Sequence, residues 1–197
     1  MSSDPETVGI YNAKAAEYAE LVTTDHNDPQ LETFVSSLPK GSHILDLGCG
    51  PGFASAFMAQ AGHHVTATDA SAQMVAMAAK HTNVTAHVAS FDDITGTNLY
   101  DGIWANFSLL HAPRPDMPCH LAALRQVLKP GGLFHIGMKT GTGMHRDALG
   151  RMYTYYTADE LHGLLKLAGF TPFFSTTGRD KGLDGTLADW VTIAAHG

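Results

Sequence analysis

Cysteine is scarce in this 197-residue chain: Cys49 and Cys119 are its only two. That excludes a disulfide framework and a cysteine-built zinc cluster, and a reducing cytoplasm is the simplest home. Long apolar runs are absent too. None approaches the roughly 18 residues a bilayer span needs, and the N-terminal MSSDPETVGIYNAK has no apolar signal-peptide core. Basic residues are outnumbered, 12 Lys and Arg against 19 Asp and Glu, for a net charge of −7. This argues against binding of nucleic acid through a basic face. A Gly-x-Ser-x-Gly nucleophile elbow is missing. The twelve histidines do not fall into metal-ligand spacings, and the adjacent His63 and His64 would point to opposite faces of a strand, so no metal is expected. What remains is a globular composition, 44% apolar and 16% charged, sufficient for one domain over residues 1–197.

The informative stretch is HILDLGCGPG, His43 to Gly52. Ile44, Leu45 and Leu47 form the short apolar run of a buried strand. Gly48, Gly50 and Gly52 follow, and Phe53 opens a helical pattern. Glycines at a strand-to-helix turn let the backbone approach a ligand closely, as at a Rossmann-like nucleotide site. The dinucleotide fingerprint GxGxxG would place its third glycine where Phe53 stands. Asp46, two residues before the first glycine, would repel a pyrophosphate and suits a ligand with positive charge at that end. S-adenosyl-L-methionine (SAM) carries an ammonium and a sulfonium in its methionine half. Asp46, Gly48, Gly50 and Gly52 resemble the first motif of class I SAM-dependent methyltransferases, acid-x-Gly-x-Gly-x-Gly.

A lead helix is expected over residues 7–22, from Tyr11, Ala15, Tyr18 and Val22 at helical spacing. A polar break spans Asp25 to Pro29, and a second helix covers residues 30–38. After the glycine loop comes a helix from Phe53 to Ala61 with Phe57 and Met58 turned inward. Strand two, Val65 to Thr68, ends in Asp69, where an acid in a βαβ unit meets a ribose diol. Ser71 can cap the next helix. The run Asp69-Ala70-Ser71-Ala-Gln-Met74 resembles the family's second motif, which implies that Asp69 holds ribose and Met74 packs on adenine. Strand three is Val84 to Val88. The resemblance places the adenine contacts after it at Ser90 and Phe91, a departure from the family's usual Asp, with Asp92 as a rival. Strand four, Asp101 to Phe107, leads into Asn106-Phe-Ser-Leu-Leu-His111, which resembles the fourth motif beside the transferred methyl. It lacks the Asn/Asp-Pro-Pro-aromatic signature of adenine and glutamine amino-methyltransferases. A helix from Asp116, strand five from Leu133 to Met138, an irregular stretch over 139–156, a helix capped by Thr157-x-x-Glu160 and strands at 170–174 and 190–195 complete the chain.

The family implies a three-layer α/β domain whose largely parallel seven-stranded sheet has the order 3-2-1-4-5-7-6. Residues 1–40 would be a helical lead and lid, 41–138 the cofactor-binding core, and 139–197 the substrate-side loop, last helix and closing strands. It also implies SAM as cofactor, S-adenosyl-L-homocysteine (SAH) as product, and methyl transfer to oxygen or nitrogen of a small molecule. His111 is the candidate base, since imidazole titrates near neutral pH, and Tyr11 and Tyr18 are candidate lid residues over the cofactor. Arg146, Arg151 and Tyr153 are candidate acceptor contacts, which would favour an anionic or aromatic acceptor. Two readings compete: a SAM-binding regulatory domain without turnover, and an NAD-linked oxidoreductase, against which Phe53 and Asp46 speak.

Overall fold

The computed structural model describes residues 4–22 and 28–197, the side chains of residues 21 and 22 excepted. The side chain of Val22, the last position of the expected lead-helix spacing, and most of the break before Pro29 lie outside these. Strand β1 (His43–Leu47) buries Ile44, Leu45 and Leu47 on both faces of a sheet, which is why it reads as a continuous apolar run and not an alternation. It lies parallel to β2 (His64–Asp69) on one side and β4 (Tyr100–Asn106) on the other. Beyond β2 lies β3 (Val84–Val88), and beyond β4 lies β5 (Leu128–Lys139), both parallel to their neighbours.

Between β5 and the last two strands the chain forms a separate hairpin of β6 (Met144–Arg146) and β7 (Met152–Thr154). Then β8 (Thr171–Lys181) takes the sheet edge, and β9 (Leu187–His196) inserts antiparallel between it and β5. The sheet order is β3-β2-β1-β4-β5-β9-β8. With the hairpin set apart, this is the expected 3-2-1-4-5-7-6.

Helices cover both faces. On one, α6 (Met117–Val127) and α7 (Ala158–Leu167) pack Leu121, Leu124, Leu161 and Leu165 on Leu45, Ile103, Phe134 and Ile193. On the other, α3 (Pro29–Ser37) and α4 (Phe53–Gln60) bring Leu31, Phe34, Val35 and Met58 to Ile44, Val65 and Trp104. Each fully buried Leu, Ile or Met contributes about 1.5–3 kcal/mol of transfer free energy. After β2, α5 (Ala72–Ala78) starts at Ser71, whose hydroxyl accepts from the Met74 N–H as expected of a cap. The Thr157–Glu160 capping box at α7 also forms.

Four expectations need correction. The lead helix is two helices, α1 (Pro5–Ala13) and α2 (Ala15–Val22), broken at Lys14, whose φ of −109° and ψ of 18° leave the helical region. Met58 points inward but Phe57 does not and stays 38% exposed, because the sheet lies under only one side of α4. Strand β5 starts at Leu128: that residue pairs with Tyr100, residues 129–132 bulge, and pairing resumes at Leu133. The closing strands run well past their predicted ends because they pair with each other along their length.

Candidate active site

The carboxyl ends of β1, β2, β3 and β4 surround a pocket of about 770 Å³, counting the solvent-open space at its mouth. Its floor is the glycine loop. Gly48 has φ of 72°, and a Cβ there would lie 2.3 Å from the Ser108 Cβ. The loop can therefore pass under the tip of β4 only as glycine. The Gly48 and Cys49 N–H groups donate to the Thr68 carbonyl at 2.7 and 2.9 Å, which ties the loop to β2. The Gly50 N–H donates to Asp69 Oδ2 at 2.9 Å, and the Ser71 N–H donates to Asp69 Oδ1 at 2.8 Å. Asp69 is thus held with its remaining lone pairs available in the pocket, while burial pushes its carboxyl above the usual range.

Most of the residues singled out from sequence for the cofactor meet at this pocket. Gly48, Gly50, Asp69, Ala70, Met74, Ser90, Phe91, Asn106, Tyr11 and Tyr18 all line it, and so does His111. Gly52 and Asp46 do not. Gly52 caps α4 in the left-handed conformation and packs on Ala78. Asp46 is 2% exposed beneath the loop and accepts from the Ser55 hydroxyl at 2.5 Å. Burial pushes its carboxyl up to about 7.

Helix α1 roofs the pocket with Asp4, Thr7, Val8 and Tyr11, and Tyr18 of α2 extends the roof to the glycine loop. Asp4, Thr7 and Val8 carry no motif, and the N-cap pattern Asp-Pro was their only sequence signal. Two more pocket residues that sequence reasoning missed are Thr68 and Ser108. Both residues line the pocket, and their hydroxyls are buried without a hydrogen-bond partner among the described residues. Such groups cost free energy unless a ligand or water satisfies them.

At the β4 end, Tyr11, His111, Arg151 and Asp147 form a chain. His111 Nδ1 lies 2.7 Å from the Met152 carbonyl oxygen, which can only accept, so Nδ1 carries the proton. Nε2 then accepts from the Tyr11 hydroxyl at 2.9 Å. Arg151 donates to the same hydroxyl at 3.0 Å and to Asp147 at 2.6 Å. Burial, reinforced by the charges of Arg151 and Lys139, pushes His111 down to about 4, which keeps it neutral. Tyr153 packs its ring on His111 with centroids 4.6 Å apart. Neither Arg146 nor Arg151 reaches the pocket wall. Arg151 is 2% exposed, and Arg146 bridges Asp4 and Glu6 of α1. The Arg146–Asp4 pair, 142 residues apart, is invisible to any local pattern, whereas Arg151 and Asp147 stand four residues apart.

A seven-stranded sheet of this order, with its last strand inserted antiparallel and a glycine-loop pocket at its carboxyl edge, is the class I SAM-dependent methyltransferase fold. Residues 44–132 match the family model described as "Methyltransferase domain". It is 34% identical over 101 residues to a ubiquinone biosynthesis O-methyltransferase of Xanthomonas axonopodis pv. citri, an alignment covering 48% of this chain and 41% of that protein. It is 37% identical over 97 residues to a ubiquinone/menaquinone biosynthesis C-methyltransferase of Rubrivivax gelatinosus, covering 48% and 38%. The chain spans about two fifths of the length of these curated relatives. Among solved structures, the Burkholderia thailandensis 1,6-didemethyltoxoflavin-N1-methyltransferase, with 1,6-didemethyltoxoflavin and SAH bound, shares the fold. The TM-score is 0.77 and the identity 23%, over all of this chain and 91% of that one.

Proposed function

We propose that this chain binds SAM in the pocket above β1 and β2 and transfers its methyl group to oxygen or nitrogen of a small molecule. The observation that carries the reading is the Asp69 carboxylate, pinned by Gly50 and Ser71 at the tip of β2 and open to a vicinal diol. Met74 and Phe91 offer apolar walls for a flat base, and the buried, unpaired hydroxyls of Thr68 and Ser108 lie in residues of the same wall. Asp46 lies beneath the loop, where a cationic methionine half would favour its ionised form.

SAM supplies a methyl group already activated by its sulfonium. The chain's own work is to align, enclose and keep out water. Tyr11 and Tyr18 close the roof, and Asn106 marks the β4 end. His111 acts through Tyr11: a proton leaving the acceptor would pass to the Tyr11 oxygen as the Tyr11 proton moves to His111 Nε2. With His111 held near 4, this pair is a weak base. It suits an acceptor that ionises readily or needs no deprotonation. In this reading Arg151, Arg146 and Tyr153 build the wall behind Tyr11 and His111 and do not receive the acceptor themselves. The relatives' names span transfer to oxygen, carbon and nitrogen, so the acceptor atom rests on this site alone.

Calorimetry with SAM, SAH and NAD tests the cofactor, and isotope-labelled SAM with a metabolite panel tests turnover. Micromolar binding of SAM and SAH without NAD supports the proposal. Binding of NAD alone overturns it. Tight SAM binding with no methyl transfer across the panel would point to a SAM-sensing domain.

A further inference from the structure

A second cleft opens on the α3 and α4 side of the sheet, about 1750 Å³ including the solvent-open space at its mouth. It meets the cofactor pocket at Asn106 and Phe107, which line both. Its walls are aromatic. Phe53 and Phe57 come from α4, Trp104 from β4 and Trp190 from β9. Phe53, Phe57 and Phe107 are each more than a third exposed, an apolar surface that solvent would not favour leaving open.

Two of these rings are fixed by features with no evident role in folding alone. Phe107 sits at φ of 53°, a conformation that costs a bulky residue of order 1–3 kcal/mol and tends to persist where a site requires it. Its ring meets Trp190 edge-on with centroids 6.2 Å apart. The Trp190 indole lies over Gly178, where a Cβ would come within 2.2 Å of the ring, and its N–H donates to Asp180 at 2.7 Å.

The charge of the cleft has one sign. Asp28, Glu32 and Asp180 line it, and among the described lining residues there is no Lys or Arg. Asp28 caps α3 and Asp180 holds Trp190. Aromatic faces also present negative potential. We propose that this cleft seats the methyl acceptor, with its reacting atom at the Asn106–Phe107 junction, and that the acceptor is a flat aromatic or heteroaromatic molecule without negative charge. The proposal rests on the SAM reading of the neighbouring pocket, and it reverses the anionic acceptor expected from the arginines of residues 139–156.

The test uses one ring in three charge states: quinoline, N-methylquinolinium and quinoline-2-carboxylate, each titrated into the SAH-saturated chain. Both tryptophans of the chain, Trp104 and Trp190, line the cleft, so fluorescence quenching and calorimetry can report the same event. Quinoline and N-methylquinolinium should bind at least tenfold more tightly than the carboxylate. Phe57→Ala, on an exposed helix face, and Trp190→Ala should each weaken the two by threefold or more while leaving SAH affinity unchanged. Tightest binding of the carboxylate, no binding of any of the three, or equal binding in both variants would overturn the proposal. A chain that binds quinoline but not SAH would instead overturn the cofactor reading.

Discussion

The Asp46 carboxylate, buried beneath the glycine loop, is sensitive to pH. Burial moves it from its ordinary 3.8 to about 7, because desolvation penalises the charged form and the Ser55 hydrogen bond offsets only part of this. Between those two values the unfolded chain has released this proton and the folded chain has kept it. The contribution of Asp46 to stability therefore falls as pH rises from about 4 to 7 and is level above that, by at most roughly 4 kcal/mol. The buried His135, pushed down to about 3, contributes with the opposite sign. The difference between wild type and Asp46→Asn isolates the Asp46 share. Thermal unfolding should show the variant gaining on wild type between pH 4 and 7, and a constant difference over that range would show Asp46 ionised in the free fold. At Asp69 the expectation is thermodynamic too. Asp69→Ala should weaken SAH binding by about 1–3 kcal/mol, the cost of losing charge-assisted hydrogen bonds to a ribose. Calorimetry with unchanged affinity would remove Asp69 from the ribose role. Both acids stand out in sequence, Asp46 interrupting a short apolar run near its end and Asp69 closing one, but only Asp69 lines the pocket. Thr68 and Ser108 do not stand out, because a lone hydroxyl beside a strand end is common and only its buried, unpaired state marks it.

Between elements, the polar ties of α1 matter most. Its N-cap Asp4 accepts from Arg146 at 2.9 and 3.0 Å, and this pair holds the Asp4 carboxyl well below the usual range. The Thr7 hydroxyl accepts from the Met152 N–H at 2.8 Å, and the Ser71 hydroxyl donates to Asn12 at 2.7 Å. Arg146 is thus a latch between the roof of the pocket and the β6–β7 hairpin. Since the pair is partly exposed, it contributes little to global stability. Arg146→Ala should leave the unfolding midpoint within about 2 °C of wild type and raise the SAH dissociation rate severalfold in stopped-flow measurements. An unchanged rate would mean that α1 does not gate the cofactor. Elements with strong local chemistry, the glycine loop, the Ser71 cap and the Thr157 box, could be read from sequence with nearly the observed bounds. The hairpin could not, since strands of three residues carry no period, and of the arginines that look like an acceptor pocket in sequence Arg146 pairs with Asp4 more than a hundred residues away, while Arg151 bonds distant Tyr11 besides its neighbour Asp147.

For the molecule as a whole, the consequence is a division between a rigid sheet and a separable roof. The sheet is packed on both faces by apolar helices, whereas α1 buries only Thr7. Ordering its backbone costs about 1–2 kcal/mol per residue, and its hydrogen bonds to the hairpin, α5 and His111 return a net 0.5–1.5 kcal/mol each. Such an element opens locally without unfolding the core. A ligand lying against Thr7, Val8 and Tyr11 would add contacts that exist only when the roof is closed, so binding and ordering of α1 reinforce each other. At SAH concentrations near 100 times the dissociation constant, linkage adds about 2.7 kcal/mol to global stability, a rise of roughly 5–11 °C in the unfolding midpoint for a chain of this size. Hydrogen exchange resolves where that free energy acts. In the free chain the α1 amides should exchange far faster than those of β1 and β4. On SAH saturation they should slow by at least tenfold, while the sheet changes less. If α1 is as protected as β1 without ligand, the roof belongs to the core and the pocket must admit its cofactor by another route.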